Sequence, residues 1–193
     1  MRPEVLNSGY QPMTKVLFRM IRLFTGRPLP DAAKLVFYRP GFYGDPAKRF
    51  TQLAMRGPSP WSVGDRELMA AVVSQANACT FCVGAHTATA AQAYADRDLV
   101  RAVLADVDTA PVAPELRATL RLLTKLTRDG TVSADDMRAV LAAGVTRQQI
   151  EDALAVATAF NITNRLADAF DFEVLDEDGF AAGARFLLKR GYG

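Results

Sequence analysis

The chain has 193 residues, half of them apolar and 23% charged, with a formal net charge of +2, two cysteines and one histidine. At roughly 150 residues per domain this is one domain with room for an extension. Two cysteines exclude a disulfide framework and a four-cysteine zinc site, one histidine excludes a three-histidine metal site, and the near-balanced charge argues against a nucleic-acid partner.

Composition rich in Ala, Leu and Arg, with no sustained period-two alternation, predicts an all-α chain. The opening MRPEVLNSGYQPMTK lacks the charged-then-apolar order of a secretory signal, so a cytoplasmic protein with reduced thiols is expected. Residues 1–45 read as an N-terminal extension, rich in proline and poor in acids, and residues 46–193 as the helical domain. The first helix, about 13–25, is basic and amphipathic. Lys15, Arg19 and Arg22 share one face, and Val16, Leu17, Met20, Leu23 and Phe24 fill much of the rest. The three basic residues also keep this segment from being a membrane span. Such a helix can lie on an anionic membrane, but the expectation is that it packs on the core or on a neighbouring subunit. Further helices are expected at about 31–38, 46–56, 63–77, 79–95, 97–106, 113–128, 133–143, 147–169 and 177–190, separated by Pro, Gly and Asp clusters. Ser62 with Asp65, Ser133 with Asp136, and Thr146 with Gln149 mark three of the starts as reciprocal caps.

Both cysteines and the only histidine fall in the window Cys79-Thr80-Phe81-Cys82-Val83-Gly84-Ala85-His86. Four chemistries compete for it. A zinc site would need a further ligand from Asp or Glu, and covalent haem attachment would need histidine where Val83 stands. Two buried thiols with a satisfied core histidine would be structural. A redox-active dithiol with a base fits the geometry best. Three-residue spacing lets Cys79 and Cys82 share a helical face, and four-residue spacing sets His86 one turn beyond Cys82. On that reading His86 favours Cys82 as the more acidic sulfur, against the helix dipole, which favours Cys79. His86 needs an orienting partner. If helices 63–77 and 79–95 form an antiparallel hairpin turning near Asn77 and Ala78, Glu67 comes within a turn of His86. Alone, Glu67 would read as a first-turn carboxylate in the helix dipole.

The stretch RELMAAVVSQANACTFCVGAHTATA, with Glu67, Cys79, Cys82 and His86 in register, resembles the core of the AhpD-like alkylhydroperoxidases of the carboxymuconolactone decarboxylase superfamily. FNITNRLADAF, residues 160–170, resembles a later helix of the peroxidase-related branch. The resemblance implies an all-α AhpD-like fold, a homo-oligomer (trimer or hexamer), and thiol-dependent reduction of hydroperoxides without cofactor or metal. It implies that Cys82 attacks the peroxide, Cys79 resolves the sulfenic acid as a disulfide, and Glu67 with His86 relays protons. A lipoyl or thioredoxin-like dithiol protein would return the electrons, since no Gly-rich nucleotide fingerprint is present. Phe81 stands where the best-studied AhpD pattern has a second histidine, which leaves one proton carrier fewer and a drier site. A thiol–disulfide oxidoreductase with little peroxidase activity, and a non-catalytic helical scaffold, are the rival readings.

Ser74, Asn77, Asn161, Asn164 and Arg165 read as structural hydrogen-bonding residues that could border the site, and Trp61 as a packing anchor.

Overall fold

The computed structural model of the protein describes residues 5–193. No strand occurs among them. The chain forms α1 (Val5–Ser8), α2 (Pro12–Thr25), α3 (Asp31–Tyr38), α4 (Asp45–Arg56), α5 (Val63–Ala76), α6 (Thr80–Tyr94), α7 (Arg97–Ala105), α8 (Pro114–Asp129), α9 (Ala134–Ala142), α10 (Arg147–Ala169) and α11 (Glu177–Arg190). Every expected helix forms. Two elements were not expected: α1, and a short π-helix at Pro40–Gly44 in place of a break.

Capping chemistry explains the starts. Ser62 Oγ accepts from the Asp65 N–H at 3.0 Å, and the Asp65 carboxylate accepts from the Ser62 N–H at 2.9 Å. The same reciprocal cap forms at Ser133 with Asp136 and at Thr146 with Gln149, opening α9 and α10.

α5 is the axis of the molecule. Residues Leu68 to Val73 are all 3% exposed or less, so every side of this helix is buried and its sequence carries no polar stripe. It packs on α6, α8 and α10, and α6 in turn packs on α11. The α5–α6 hairpin turns where expected. Asn77 caps α5, Ala78 adopts φ +57°, and the Cys79 N–H donates to the Ser74 carbonyl at 3.0 Å. A left-handed alanine costs about 1 kcal/mol, which the packing of the two helices offsets.

The buried residues form two groups. Met55, Leu68, Val100, Leu120, Leu123, Val156 and Phe160 belong to the main core. A second, smaller group joins Leu6 and Leu35 to Cys79, Phe81, Cys82, Ala167 and Phe172. The N-terminal segment therefore covers the cysteines through α1 and α3, with Leu6 1% and Leu35 4% exposed.

Of the two packings expected for α2, on the core or on a neighbouring subunit, the first does not form, for the helix buries no residue. Phe18 leans on the body, its ring 4.9 Å from Tyr10 and 5.5 Å from Phe37. Phe18 lies outside the main apolar stripe of α2, so that contact turns Val16, Leu17, Met20, Leu23 and Phe24 outward. No helix among the described residues is long and apolar enough to cross a membrane.

Gly84 and Gly183 test the α6–α11 packing from opposite sides. A Cβ on Gly84 would lie 2.5 Å from the Phe180 ring, whereas one on Gly183 meets nothing within 4 Å. In urea denaturation Gly84→Ala is expected to lose about 1–3 kcal/mol through overpacking. Gly183→Ala is expected to gain about 0.5–1 kcal/mol through reduced backbone entropy in the unfolded chain.

Candidate active site

The site is built around Glu67, which the capping box of α5 sets in the first turns of the axial helix, and which has no solvent exposure. A carboxylate there stays ionised only with partners that favour the charge. It has three. Arg56, the last residue of α4, donates through Nη2 to Oε1 at 2.6 Å. Tyr192 donates through Oη, 2.9 Å from Oε1 and 3.1 Å from Oε2. His86 Nδ1 lies 2.7 Å from Oε2. Burial raises the Glu67 pKa, but the His86 and Arg56 contacts together outweigh it and hold the carboxyl below its ordinary value.

The partners are themselves held. Arg56 also donates to the carbonyls of Met55 at 2.8 Å and Leu187 at 3.2 Å, and its guanidinium lies 5.0 Å from the centre of the Tyr192 ring. Gly191, at φ +72°, lets the chain turn back after α11, and the Tyr192 N–H donates to Gln52 Oε1 at 2.6 Å. Burial and the Glu67 charge push the Tyr192 hydroxyl well above its ordinary pKa, which keeps it a neutral donor.

His86 is 4% exposed, its ring edge-on to Phe160 at 4.2 Å and facing Tyr192 at 6.4 Å. A neutral imidazole that donates through Nδ1 to a carboxylate leaves Nε2 as the acceptor. The sequence-derived pairing of Glu67 with His86 thus forms, by the route of the α5–α6 hairpin.

Cys79 and Cys82 are free thiols, 1% and 2% exposed. Because α6 begins at Thr80, Cys79 is its N-cap residue, with extended backbone, and its sulfur lies at the open end of the helix. The Cys82 thiol, and then the Cys82 backbone N–H, hold the Cys79 pKa down against burial. Cys82 moves the other way: giving its proton to Cys79, burial, and the charge on Cys79 push it well up. Asp168 raises both. The two thiols titrate as a coupled pair in which Cys79 is the more acidic. That is the direction the helix dipole favours and not the one expected from the histidine spacing, because the Cys82 thiol donates to Cys79.

Phe81 forms an apolar wall with Phe172 and Phe180, at ring distances of 5.4 Å and 5.9 Å. Ser74 donates to Asn164 Oδ1 at 3.1 Å, and Asn77 to Asn161 Oδ1 at 3.0 Å, tying the hairpin turn to α10. Trp61 Nε1 donates to the Gln149 carbonyl at 2.8 Å, and Arg165 is exposed. Arg56 and Tyr192 carried no sequence signal of their own: the first reads as a helix-end cation, the second as a tail residue. Among the described residues no three His, Cys, Asp or Glu side chains are grouped as metal ligands would be. An open cleft of about 550 Å³, lined by Asp45, Lys48, Arg49, Gln52, Leu53 and Gly193, includes neither cysteine and neither member of the Glu67–His86 pair.

Residues 45–125 match the model of the carboxymuconolactone decarboxylase family. The chain is similar to the structure of an uncharacterized peroxidase-related protein from Silicibacter sp. TM1040, at 25% identity over 89% of this chain and 90% of that one, with a TM-score of 0.74. It is also similar to an alkylhydroperoxidase AhpD core, an uncharacterized peroxidase-related protein from Ralstonia eutropha JMP134, at 22% identity over 96% and 95%, with a TM-score of 0.72. The debrominase Bmp8, in a cysteine-to-alanine variant complexed with 2,3,4-tribromopyrrole, shares the fold at 14% identity over 92% and 90%, with a TM-score of 0.70. No curated protein matches the chain at a significant level.

Removing the guanidinium tests the charge balance around Glu67. Arg56→Ala is expected to cost about 3–5 kcal/mol at pH 7, the cost of leaving a buried charge unpaired. The carboxyl pKa, low in the native protein, rises when its cation is lost. The penalty should therefore shrink as pH falls and Glu67 takes up a proton. Urea denaturation at pH 7 and pH 5 checks both the size and the direction.

Proposed function

Because the chain belongs to the AhpD-like and carboxymuconolactone decarboxylase superfamily, we propose that it reduces alkyl hydroperoxides through a Cys79–Cys82 dithiol–disulfide cycle. The observation that carries this reading is the buried 2.7 Å contact between Glu67 on α5 and His86 on α6, the helix that carries Cys82 and is capped by Cys79.

The cycle balances in three steps. Cys82 gives up its proton to His86 Nε2, from which the leaving oxygen later takes it, and its sulfur attacks the distal peroxide oxygen. The O–O bond breaks, the sulfur is oxidised by two electrons to a sulfenic acid, and the departing alkoxide takes a proton to leave as an alcohol. Cys79 then attacks the sulfenic sulfur, forming the disulfide and releasing water. A dithiol protein of lipoyl or thioredoxin-like type reduces the disulfide and is itself oxidised. Glu67 orients the imidazole and stabilises its charged form, the role of the third member in an activated nucleophile set. The reading takes the protein to be cytoplasmic, where thiols are kept reduced, and assigns the outward apolar face of α2 to a second copy of the chain in a trimer or hexamer.

Stopped-flow mixing of the reduced protein with cumene hydroperoxide tests the reading. The expected rate exceeds that of free dithiothreitol by at least 10-fold and ends in an intramolecular disulfide. In Cys79→Ser, dimedone should trap a sulfenic acid on Cys82. A rate equal to free dithiothreitol, with fast exchange against small disulfides, would favour a thiol–disulfide oxidoreductase instead. A sulfenic acid trapped on Cys79 in Cys82→Ser, and none in Cys79→Ser, would reverse the two cysteine roles.

A further inference from the structure

Asn164 is a fully buried amide that the cycle above does not use. Its Oδ1 is held by the Ser74 hydroxyl at 3.1 Å, and Ser74 is fixed in turn, since its carbonyl accepts the Cys79 N–H at 3.0 Å. The other end of the amide has no such anchor: Asn164 Nδ2 is buried and without an acceptor. A buried donor left unpaired is a cost that folded proteins rarely bear, and where one persists it commonly serves a ligand.

Its position on α10 says which ligand. Residues 160, 164 and 167 are spaced by four and three, so they lie on one face of the helix. Phe160 touches the His86 ring at 4.2 Å, and Ala167 packs in the cluster that contains Cys79 and Cys82. Asn164 stands between them, one turn from each, on the face of α10 whose neighbours reach the imidazole at one end and the thiol cluster at the other. Aromatic side chains, Phe81 and Phe160 among them, flank this region, and the Tyr43 hydroxyl and the Asp168 carboxyl act on the thiol side of it. Of the polar groups there, the Asn164 amide nitrogen is a buried donor without an acceptor.

Resting on the peroxidase reading above, we propose that the Asn164 Nδ2–H binds the hydroperoxide. It donates to the oxygen that departs as the O–O bond breaks. As the Cys82 sulfur bonds to the distal oxygen, the bonding pair of the O–O bond passes to the proximal oxygen, where negative charge grows until a proton arrives from His86. A fixed amide donor aimed at that oxygen stabilises the charge without reorganising. In the Ser74 contact the amide oxygen is the acceptor, which leaves the nitrogen for the substrate.

The test compares two electrophiles on the same thiols. Cumene hydroperoxide presents an oxygen for Asn164 to hold, while 4,4′-dithiodipyridine accepts a thiolate with no oxygen at the reacting centre. In Asn164→Ala the peroxide rate should fall 10- to 100-fold while the disulfide-exchange rate stays within about twofold of the native protein. Asn164→Leu keeps nearly the same volume at this position but removes the donor. Its ratio of peroxide to exchange rate should fall by a similar factor, any change in thiol acidity cancelling in the ratio. Thermal melts show which variants remain folded. An unchanged ratio in a folded variant, or an equal loss on both electrophiles, would overturn the role of Asn164 and leave the peroxidase reading standing. A native protein no faster with peroxide than free dithiothreitol would overturn both.

Discussion

A carboxylate without solvent contact is the constraint from which the rest of this molecule follows. Charged Glu67 is tolerable inside an all-helical core only while Arg56, Tyr192 and His86 all reach it. Those partners come from α4, the C-terminal tail and α6, so three distant segments must close on α5 before the charge is satisfied. The same closure orients the imidazole and leaves one of its nitrogens facing away from the carboxylate. Stability and chemical competence thus depend on one set of contacts.

The fold alone does not choose the chemistry, as the structural likeness to a debrominase makes plain. The arrangement of this chain's own side chains does. Two thiols lie at the start of α6, and the hydrogen bond from Cys82 to Cys79 lowers the pKa of the one and raises that of the other. Phe81, Phe172 and Phe180 keep water away, and Leu6 and Leu35 cover the pair from the N-terminal side.

Much of this was legible in the sequence, and the reasons are local. Reciprocal caps at Ser62, Ser133 and Thr146 are written within four residues each, so the starts of α5, α9 and α10 could be read directly. The pairing of Glu67 with His86 followed from a hairpin turn whose position the Asn77–Ala78 break gave away. What escaped was non-local or decided by a single residue. Tyr192 lies 125 positions from Glu67 in the chain, and no spacing rule connects them. The order of the two thiols turned on one hydrogen bond, from the Cys82 thiol to Cys79, which helical spacing does not reveal. The outward face of α2 was hidden for a different reason. Amphipathicity tells that a helix has an apolar side, but not that one aromatic contact, at Phe18, turns that side away from the body.

In this site Glu67 would govern the thiols through His86, the residue it holds at 2.7 Å. The measurement is the rate of peroxide-driven Cys79–Cys82 disulfide formation in Glu67→Gln against the native protein across pH 5 to 9. Glutamine preserves the shape of the side chain and removes its charge. The account predicts a loss of about 100-fold near neutral pH, the usual scale of an oriented acid–base group, in a variant that remains folded by circular dichroism. It further predicts that the gap narrows at high pH, where the thiols ionise without help. A folded Glu67→Gln variant that forms the disulfide at the native rate throughout would contradict it.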